Sequence, residues 1–333
     1  MVTLYSCIAG VYVFDEKNAL VEHAAFENSD VHKVNAALES GEWLGEERRL
    51  IAKHGKGRVL FLGFKKERLE GVVFSSDVSK LEAFSGQLDL EALHSVSLLV
   101  AKRKLKLSVG LDSLVIQCSD CIEELNRAAS LVAKRLREWY GLYNPEFSRS
   151  VADHGKFAEL IVSKSRAELL SEIGLDGSSG MGADLRPEDV AAIAALAMQL
   201  RSVYSLRESQ KEYLDILMQE LCPNLRAVAG SLIGARLIVL AGSLRRLSEL
   251  PASTVQVLGA ERALFRHLKT GAKAPKFGVI FSHPLIQESD RKLYGKVGRT
   301  LSDKIAIAAK LDYFKGDFIG DRLRSGLDAR FKK

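Results

Sequence analysis

Two long runs of apolar residues at helical spacing constrain the fold of this chain more than any other feature. The first covers residues 112–143 and should end before Pro145, because a residue that precedes proline avoids the helical conformation. The second begins near Pro187 and continues to Leu221. Apolar positions in both alternate steps of three and four residues, as in a coiled coil. We expect two long antiparallel helical arms joined at a glycine-rich tip, residues 174–182, with a further helical pattern at 157–173.

The expected seam between the arms is apolar except at its middle. Its positions in the first arm are Cys118, Ile122, Leu125, Ala129, Val132, Leu136, Trp139 and Tyr143, and in the second Ile193, Leu196, Leu200, Val203, Leu214, Leu217 and Leu221. Arg207 and Gln210 interrupt the second set. A buried polar layer there would fix register and oligomeric state at a cost in stability. The seam rotating outward, with both side chains solvated, is an equally good interpretation.

The first 112 residues predict a small α/β domain. Runs rich in β-branched and aromatic residues, or bounded by turn signals, indicate strands at residues 3–14, 19–26, 58–63 and 72–74. Helical patterns fall at residues 31–40, 41–54 and 88–106. The first proline of the chain is Pro145, which fits continuous regular elements here.

A basic helix followed by a Lys/Gly/Pro loop occupies residues 259–286. Arg262, Arg266 and Lys269 recur at positions i, i+4 and i+7, so one helical face is cationic. The loop adds Lys273 and Lys276, with glycines nearby that would let backbone N–H groups approach a ligand. Such a face suits a phosphate backbone. The competing interpretation is a solvated helix face followed by an ordinary surface loop.

The charge distribution supports a polyanionic partner for the C-terminal part. From Arg226 to the end there are 21 Lys and Arg against 9 Asp and Glu, a balance of +12. The remainder has 27 bases and 33 acids, a balance of −6, within a chain of net charge +6. Such asymmetry is typical of a domain that binds nucleic acid. A further basic helical pattern covers residues 289–315.

The sequence of this region closely resembles the Nop domain, the RNA-binding module of box C/D ribonucleoprotein core proteins. GAER at residues 259–262 and ALFR at residues 263–266 match the paired motifs of that family. The resemblance extends over residues 222–259 and 298–314, and LREWYGLYNPEFS at residues 136–148 is also similar. The chain departs from the family pattern at Arg262, where Lys is commoner, and at Ala274 and Phe277.

The resemblance implies a multidomain, mainly α fold with three parts. Residues 1–112 would be an α/β domain that binds the methyltransferase fibrillarin, residues 113–223 a coiled-coil dimerisation domain, and residues 224–333 an all-α Nop domain. The last would bind a kink-turn guide RNA together with a small kink-turn-binding ribosomal-like protein. The chain would then be a non-catalytic scaffold that directs 2′-O-ribose methylation. The alternatives are a splicing-type Nop protein and an RNA-modifying enzyme.

The same resemblance assigns the binding residues. Those expected to face RNA or the kink-turn protein are Gly259, Ala260, Glu261, Arg262, Ala263, Leu264, Phe265, Arg266, Lys269, Lys273, Lys276, Arg299 and Lys304. Those expected to pair with a second copy of the chain are Ile193, Leu196, Leu200, Val203, Leu214 and Leu217. Leu264 and Phe265 would form an apolar wedge, although burial of Phe265 in the core competes with that role.

Motifs for catalysis, metal binding or membrane insertion were not found in the sequence. No P-loop, GxSxG or HExxH occurs, and the CxxC of Cys118 and Cys121 lacks a second pair, so we expect core thiols and no metal site. No cofactor is expected on this chain; S-adenosylmethionine would belong to fibrillarin. We see no signal peptide or membrane-spanning run. The short tail suggests the archaeal form of the family, hence a cytoplasmic protein, or a nucleolar one if eukaryotic.

Overall fold

The computed structural model describes residues 2–27, 30–54, 58–177 and 180–331, with the side chain of Val78 excepted. The chain divides into two compact units, Met1–Val109 and Gly110–Lys333. A single apolar core continues across position 223, from the base of the arms into the C-terminal helices. The three-part division at 112 and 223 stays a prediction.

The first unit is built on a mixed sheet with the strand order β3-β2-β1-β4-β5. The strands are β1 Val2–Cys7, β2 Gly10–Phe14, β3 Leu20–Ala25, β4 Val59–Leu62 and β5 Val72–Ser75. β1, β2 and β3 pair antiparallel, whereas β4 pairs parallel with β1 and β5. The single strand expected at residues 3–14 is therefore a hairpin, because the chain turns at Ile8 and Ala9.

Helices cover both faces of this sheet, which explains the continuous apolar runs. They are α1 Val31–Ser40, α2 Gly45–His54, α3 Val78–Phe84 and α4 Leu90–Ser108. Val11 and Val13 of β2 pack with Leu50 of α2, while the alternate residues Tyr12 and Phe14 pack with Phe84 of α3. A strand covered on both faces carries apolar side chains at every position, as β4 does with VLFL.

The second unit begins with the two arms, α5 Leu111–Tyr143 and α9 Pro187–Leu221. Between them lie α6 Pro145–Ser150, α7 His154–Ser163 and α8 Arg166–Glu172. The helix expected at residues 157–173 is broken because Ser165 starts a new helix, with a capping box to Glu168. The expected tip is therefore more than a glycine loop; Phe157 and Ile161 of α7 add to the core of the arms. Ser178 and Ser179 lie outside the described residues.

The seam of the first arm differs from the expected one beyond Ala129. The structure buries Ala133, Leu136 and Tyr140, whereas Trp139 is partly exposed and Val132 and Tyr143 are half-buried. A straight α-helix has 3.6 residues per turn, so its apolar stripe drifts away from a strict repeat of 3.5. The prediction was therefore right at Leu136 but wrong by one position at Val132 and Trp139, where the buried residues are Ala133 and Tyr140.

The two polar seam residues form a half-buried layer. Arg207 Nη1 donates to Asn126 Oδ1 of the opposite arm at 3.3 Å. The thiol of Cys118 donates to the carbonyl oxygen of Gln210 at 3.3 Å. Arg207 also pairs with the exposed Glu208. The layer thus joins the arms at the rim of the seam, between the two interpretations that the sequence left open.

Short helices complete the second unit. They are α10 Pro223–Ala229, α11 Ser231–Ala241, α12 Leu244–Glu249, α13 Ala252–Val257, α14 Glu261–Thr270, α15 Pro284–Gln287, α16 Tyr294–Tyr313 and α17 Gly320–Phe331. Asp312 of α16 accepts the backbone N–H groups of Asn224 and Leu225 at 3.1 and 2.8 Å. N–H groups at the start of a helix have no partner within the helix. The Asp312 carboxylate supplies one, so it caps α10 from a distant position in the sequence.

Within the described part of the chain, no single helix has the length and apolar composition to cross a membrane. The bent pair α10 and α11 passes that test on length and composition alone. Leu225, Val228, Leu237 and Ile238 of this pair are buried in the core of the second unit, which accounts for their apolar character.

Candidate nucleic-acid interface

The helix α14 carries the two tetrapeptide motifs and stands out because none of its residues is buried. It starts after Gly259, whose φ of +92° is in the left-handed region. A Cβ at that position would lie 2.6 Å from Val279 Cγ2 and 3.1 Å from Leu240 Cδ1. Glycine is therefore required at 259 by both conformation and space, and it sets the direction in which α14 leaves the core.

Three faces of α14 can be distinguished from its periodicity and exposure. Ala263 and His267 are half-buried and form the side that rests on the protein. A helix turns by about 100° per residue, so the basic residues Arg262, Arg266 and Lys269 cluster about 120° around the helix from this half-buried side. The exposed leucines and phenylalanine cluster about 120° away in the other direction. We call these the basic stripe (Arg262, Arg266 and Lys269) and the apolar stripe (Leu264, Phe265 and Leu268).

The apolar stripe answers the question that the sequence left open for Phe265. Its side chain is 63% exposed, and those of Leu264 and Leu268 are 38% and 71% exposed. Phe265 is thus not a core residue of this chain. Three large apolar side chains on one face of an exposed helix are typical of a surface that another molecule covers. Leu268 was not among the predicted site residues, although its spacing of four from Leu264 could have identified it.

The loop after α14 is held from within, which changes how it can bind a ligand. The N–H of Gly271 donates to His267 O, and that of Gly278 donates to Gln256 O, both at 2.9 Å. The N–H of Gly259 donates to Glu261 Oε1 at 2.7 Å. The expectation of open backbone amides is therefore wrong for these three glycines. The loop presents lysine side chains instead.

Gln256 of α13 anchors the end of this loop. Its side-chain amide donates to the carbonyl oxygen of Lys276 at 2.8 Å, while its own carbonyl oxygen accepts from Gly278. Phe277 lies against α16 so closely that a Cβ on Gly298 would be 2.4 Å from its ring. Phe277 is also stacked on Phe281, with ring centroids 5.7 Å apart. Phe277, a departure from the family pattern, thus has a packing role in this structure.

A cleft of about 370 Å³ brings together two of the predicted cations. Lys276 from the loop and Arg299 from α16 line it, together with Ser253, Gln256, Val257, Pro275 and Gly295. Lys304 is five residues beyond Arg299, which places it about 140° further round α16. It is half-buried and pairs with Asp303 at 3.3 Å. Arg299 therefore shares the cleft with the loop, whereas Lys304 points away from it.

The cations of this region differ from Arg226 and Arg236 of the same unit in lacking carboxylate partners. Arg226 pairs with Asp215 at 2.7 Å and Arg236 with Asp120 at 3.2 Å. Among the described residues, the structure gives no such partner to the basic stripe, to Lys273, or to the two cations of the cleft. Unpaired, exposed bases remain available to neutralise phosphate groups.

The six residues expected to pair with a second copy are used within one chain. Ile193 and Leu200 pack with Leu136 of α5, and Leu214 and Leu217 pack with Ile122 near the base of the arms. Leu196 and Val203 are half-buried beside them. This corrects the expectation for Ile193, Leu200, Leu214 and Leu217, because side chains buried between the arms cannot also face another molecule. The pairing role of Leu196 and Val203 stays a prediction.

Metal ligands and reactive thiols do not converge in the described ranges. No group of three or more His, Cys, Asp or Glu side chains there could hold a metal ion. Cys118 and Cys222 are buried free thiols, and burial raises the pKa of both. A raised pKa keeps the thiol protonated, and the nucleophile and metal ligand is the thiolate.

A known protein family matches residues 121–333, under the description "Nop: snoRNA binding domain, fibrillarin". The chain is 41% identical over 236 residues to a NOP5 family protein of Methanocaldococcus jannaschii, which covers 67% of this chain and 57% of that protein. It is 35% identical over 264 residues to nucleolar protein 58 of Lodderomyces elongisporus, with coverages of 74% and 51%. Nucleolar protein 56 of Mus musculus is 34% identical over 275 residues, with coverages of 76% and 46%.

The chain thus spans about half the length of the curated relatives it matches. Among solved structures, it is similar to a chain from a crystal structure of a fibrillarin/Nop5p complex. That similarity has 21% sequence identity and a TM-score of 0.42, and covers 99% of this chain and 98% of the other.

Proposed function

This chain belongs to the Nop family, and from that premise we propose that it is a non-catalytic scaffold of a box C/D guide ribonucleoprotein. In that particle it would direct 2′-O-methylation of RNA ribose by placing a methyltransferase over the target nucleotide. The observation that carries the proposal is α14, an exposed helix within the matched region that has a basic stripe and an apolar stripe.

We propose that α14 binds a kink-turn guide RNA and a small kink-turn-binding ribosomal-like protein as one composite surface. The basic stripe would contact phosphates, because exposed arginine forks and lysines suit the RNA backbone. Lys273, Lys276 and Arg299 would extend that contact along the loop and the cleft. The apolar stripe would contact base or protein surface. The two stripes lie about 120° apart, which fits a helix wedged between two partners.

The remaining assignments of the scaffold follow from the family. The first unit would bind fibrillarin, which would carry the S-adenosylmethionine; the family description that names fibrillarin matches residues 121–333, in the second unit. The edge strand β3 exposes the side chains of Leu20 and Val21, as a docking edge would. The chain would act in the cytoplasm of an archaeal cell or in the nucleolus of a eukaryotic one. Its eukaryotic relatives carry the names nucleolar protein 58 and nucleolar protein 56.

We propose that the arms pair with a second copy through residues outside the seam. On α9, Leu206, Tyr213 and Ile216 are exposed and lie within about 80° of one another around the helix. An apolar stripe of this kind on a coiled coil that is already closed fits a further helix–helix contact.

The decisive experiment reverses the charge of the basic stripe. The variant Arg262→Glu/Arg266→Glu/Lys269→Glu should lose assembly with the guide RNA and kink-turn protein in a gel-shift titration. Its thermal unfolding should be unchanged, because α14 buries no side chain. The matched control is Arg127→Glu/Lys134→Glu/Arg135→Glu on the exposed side of α5, with the same change in net charge. Normal assembly by the α14 variant would refute the proposed interface.

A further inference from the structure

The end of α4 in the first unit is a second exposed basic element, and nothing in the function described so far uses it. Val96 and Val100 pack against Val31 of α1 and hold the middle of the helix to its unit. From Ala101 to Ser108 every residue of α4 is exposed. The last two turns of α4, roughly, therefore bury no side chain.

This exposed end concentrates the positive charge of the first unit. Eleven basic and fifteen acidic residues precede position 102, a balance of −4. Residues 102–106 then add four bases and no acid. The net charge of the first unit does not reveal this segment, because its four positive charges are cancelled by the excess of acidic residues before it.

The four bases divide into two groups around the helix. Lys102, Arg103 and Lys106 lie within an arc of about 100°, and Lys104 lies about 150° from the middle of that arc. Lys104 is paired with Glu39 of α1, and this contact lowers the pKa of the Glu39 carboxyl. The described residues provide no carboxylate partner for the other three. One cation thus has a structural role, and three form an unpaired cationic face.

We propose that Lys102, Arg103 and Lys106 bind the phosphodiester backbone of RNA. The inference rests on the proposed function in that the RNA is that of the same particle, either the guide or the duplex that the guide forms with its target. Three unpaired bases on two turns of exposed helix repeat the chemistry of the basic stripe of α14, here on the other unit of the chain.

The arrangement of the exposed leucines argues against an anionic membrane as the partner. Leu105 and Leu107 are 68% and 72% exposed. They lie about 160° apart around the helix, on opposite sides of the three bases. A helix that lies in a membrane interface needs one continuous apolar face. Leu98 and Leu105 share one side of α4, but the exposed Leu99 lies within the arc of the three bases and Leu107 lies beyond it. The exposed leucines therefore do not form one apolar face separate from the bases.

The test uses the full chain with the kink-turn protein and compares two RNA probes, the guide alone and the guide annealed to its target strand. The variant is Lys102→Gln/Arg103→Gln/Lys106→Gln. The matched control is Lys17→Gln/Lys66→Gln/Arg68→Gln, which removes three exposed bases elsewhere in the same unit. Each lost phosphate contact reduces the slope of log K against log salt by about 0.7 to 0.9.

We expect the slope for the α4 variant to fall by about 2 to 3, with affinity at least about tenfold weaker at moderate salt. The control should match the unmodified chain. A loss seen with both probes assigns the site to the guide RNA, and a loss seen only with the annealed probe assigns it to the guide–target duplex. Unchanged slope and affinity with both probes would overturn the inference.

Two further comparisons separate this site from others. If the unmodified chain binds anionic vesicles and the α4 variant does not, while RNA binding is equal, the partner is a membrane and the inference fails. Loss of RNA binding in the α14 variant alone supports the proposed function and removes the α4 site. Loss in the α4 variant alone retains this site and removes the α14 interface. Circular dichroism of each variant checks that folding is intact.

Discussion

Some cations of the second unit are paired with a carboxylate and stabilise the fold, whereas others have no such partner among the described residues. Arg226 lies at the start of the C-terminal helices and donates to Asp215 of α9 through Nε and Nη2, at 2.8 and 2.7 Å. Ser231 donates to the same carboxylate. These contacts tie the arm to the C-terminal part. The bases of the α14 stripe have no comparable partner among the described residues and remain open to a ligand.

The Asp215 cluster predicts a pH dependence of stability. Hydrogen bonds from Arg226 and then Ser231 lower the pKa of Asp215 from 3.8 to about 2. The folded-state pKa lies below the unfolded one, so the stabilisation is present above about pH 4 and is lost as the pH falls towards 2. Because both side chains are more than a third exposed, the effect should be about 1 kcal/mol or less.

Chemical denaturation of the chain and of Asp215→Asn between pH 2 and pH 6 measures this contribution. The difference in unfolding free energy should shrink as the pH falls below about 4 and be largely lost by pH 2. Asp184→Asn is the control, since Asp184 is fully exposed and pairs only with Arg166. A difference that stays constant across this range would contradict the assignment.

In the second unit, the ends of the long helices were easier to predict from the sequence than the contacts that these helices and the loop make. The ends of the arms were predicted to within a residue, because Pro145 and Pro187 restrict the backbone locally. The register beyond Ala129 was not, because it depends on how far the helices supercoil. The glycine amides of the loop were misjudged because the partner of Gly278 is Gln256, twenty-two positions earlier, and no local pattern reveals that bond.

Truncating a leucine of the seam between the arms should destabilise the fold far more than truncating a leucine of the apolar stripe. Leu200 is fully buried between the arms, whereas Leu268 on α14 is largely exposed. Leu200→Ala should reduce the unfolding free energy by about 2 to 5 kcal/mol, and Leu268→Ala should change it by about 0.5 kcal/mol or less. Thermal or urea unfolding of the free protein measures both. A large loss for Leu268→Ala would show that the stripe belongs to the core.

The exposed stripe on α9 predicts how the chain associates. Leu206→Glu/Tyr213→Glu places two charges on the proposed contact with a second copy. Light scattering at micromolar concentration should give a dimer for the unmodified chain and a monomer for the variant. Leu131→Glu/Leu142→Glu, at exposed positions on α5, is the comparison. An unmodified chain that is monomeric at this concentration would refute self-association through the arms.

At the scale of the whole molecule, the charge division predicts that binding responds to salt. The +12 balance from Arg226 onward should make assembly with RNA weaken steeply between about 50 and 200 mM salt, because bound phosphates release their counterions. Titration with the guide RNA and kink-turn protein at several salt concentrations measures this slope. A flat response would rule out an interface dominated by phosphate contacts.

The large features of the molecule were easier to predict from the sequence than its details. The α/β class of the first unit, the long arms and the basic C-terminal region could all be predicted from spacing, composition and family motifs. The half-buried polar layer could not, since it depends on packing between distant segments. The broken helix at Ser165 and the orientation of Lys304 follow from local patterns, a capping box and a spacing of five residues from Arg299, which the sequence analysis did not use. The basic end of α4 was missed because charges were summed over long ranges.

A helix that rests on its own protein along one third of its circumference leaves two thirds for other molecules. Either stripe of α14 alone would offer a partner only three side chains, which is a small footprint. When both partners are present and already joined to each other, the two weak contacts form simultaneously and their free energies combine. The helix would then act as a coincidence detector, which engages a correctly assembled particle and ignores its separate components.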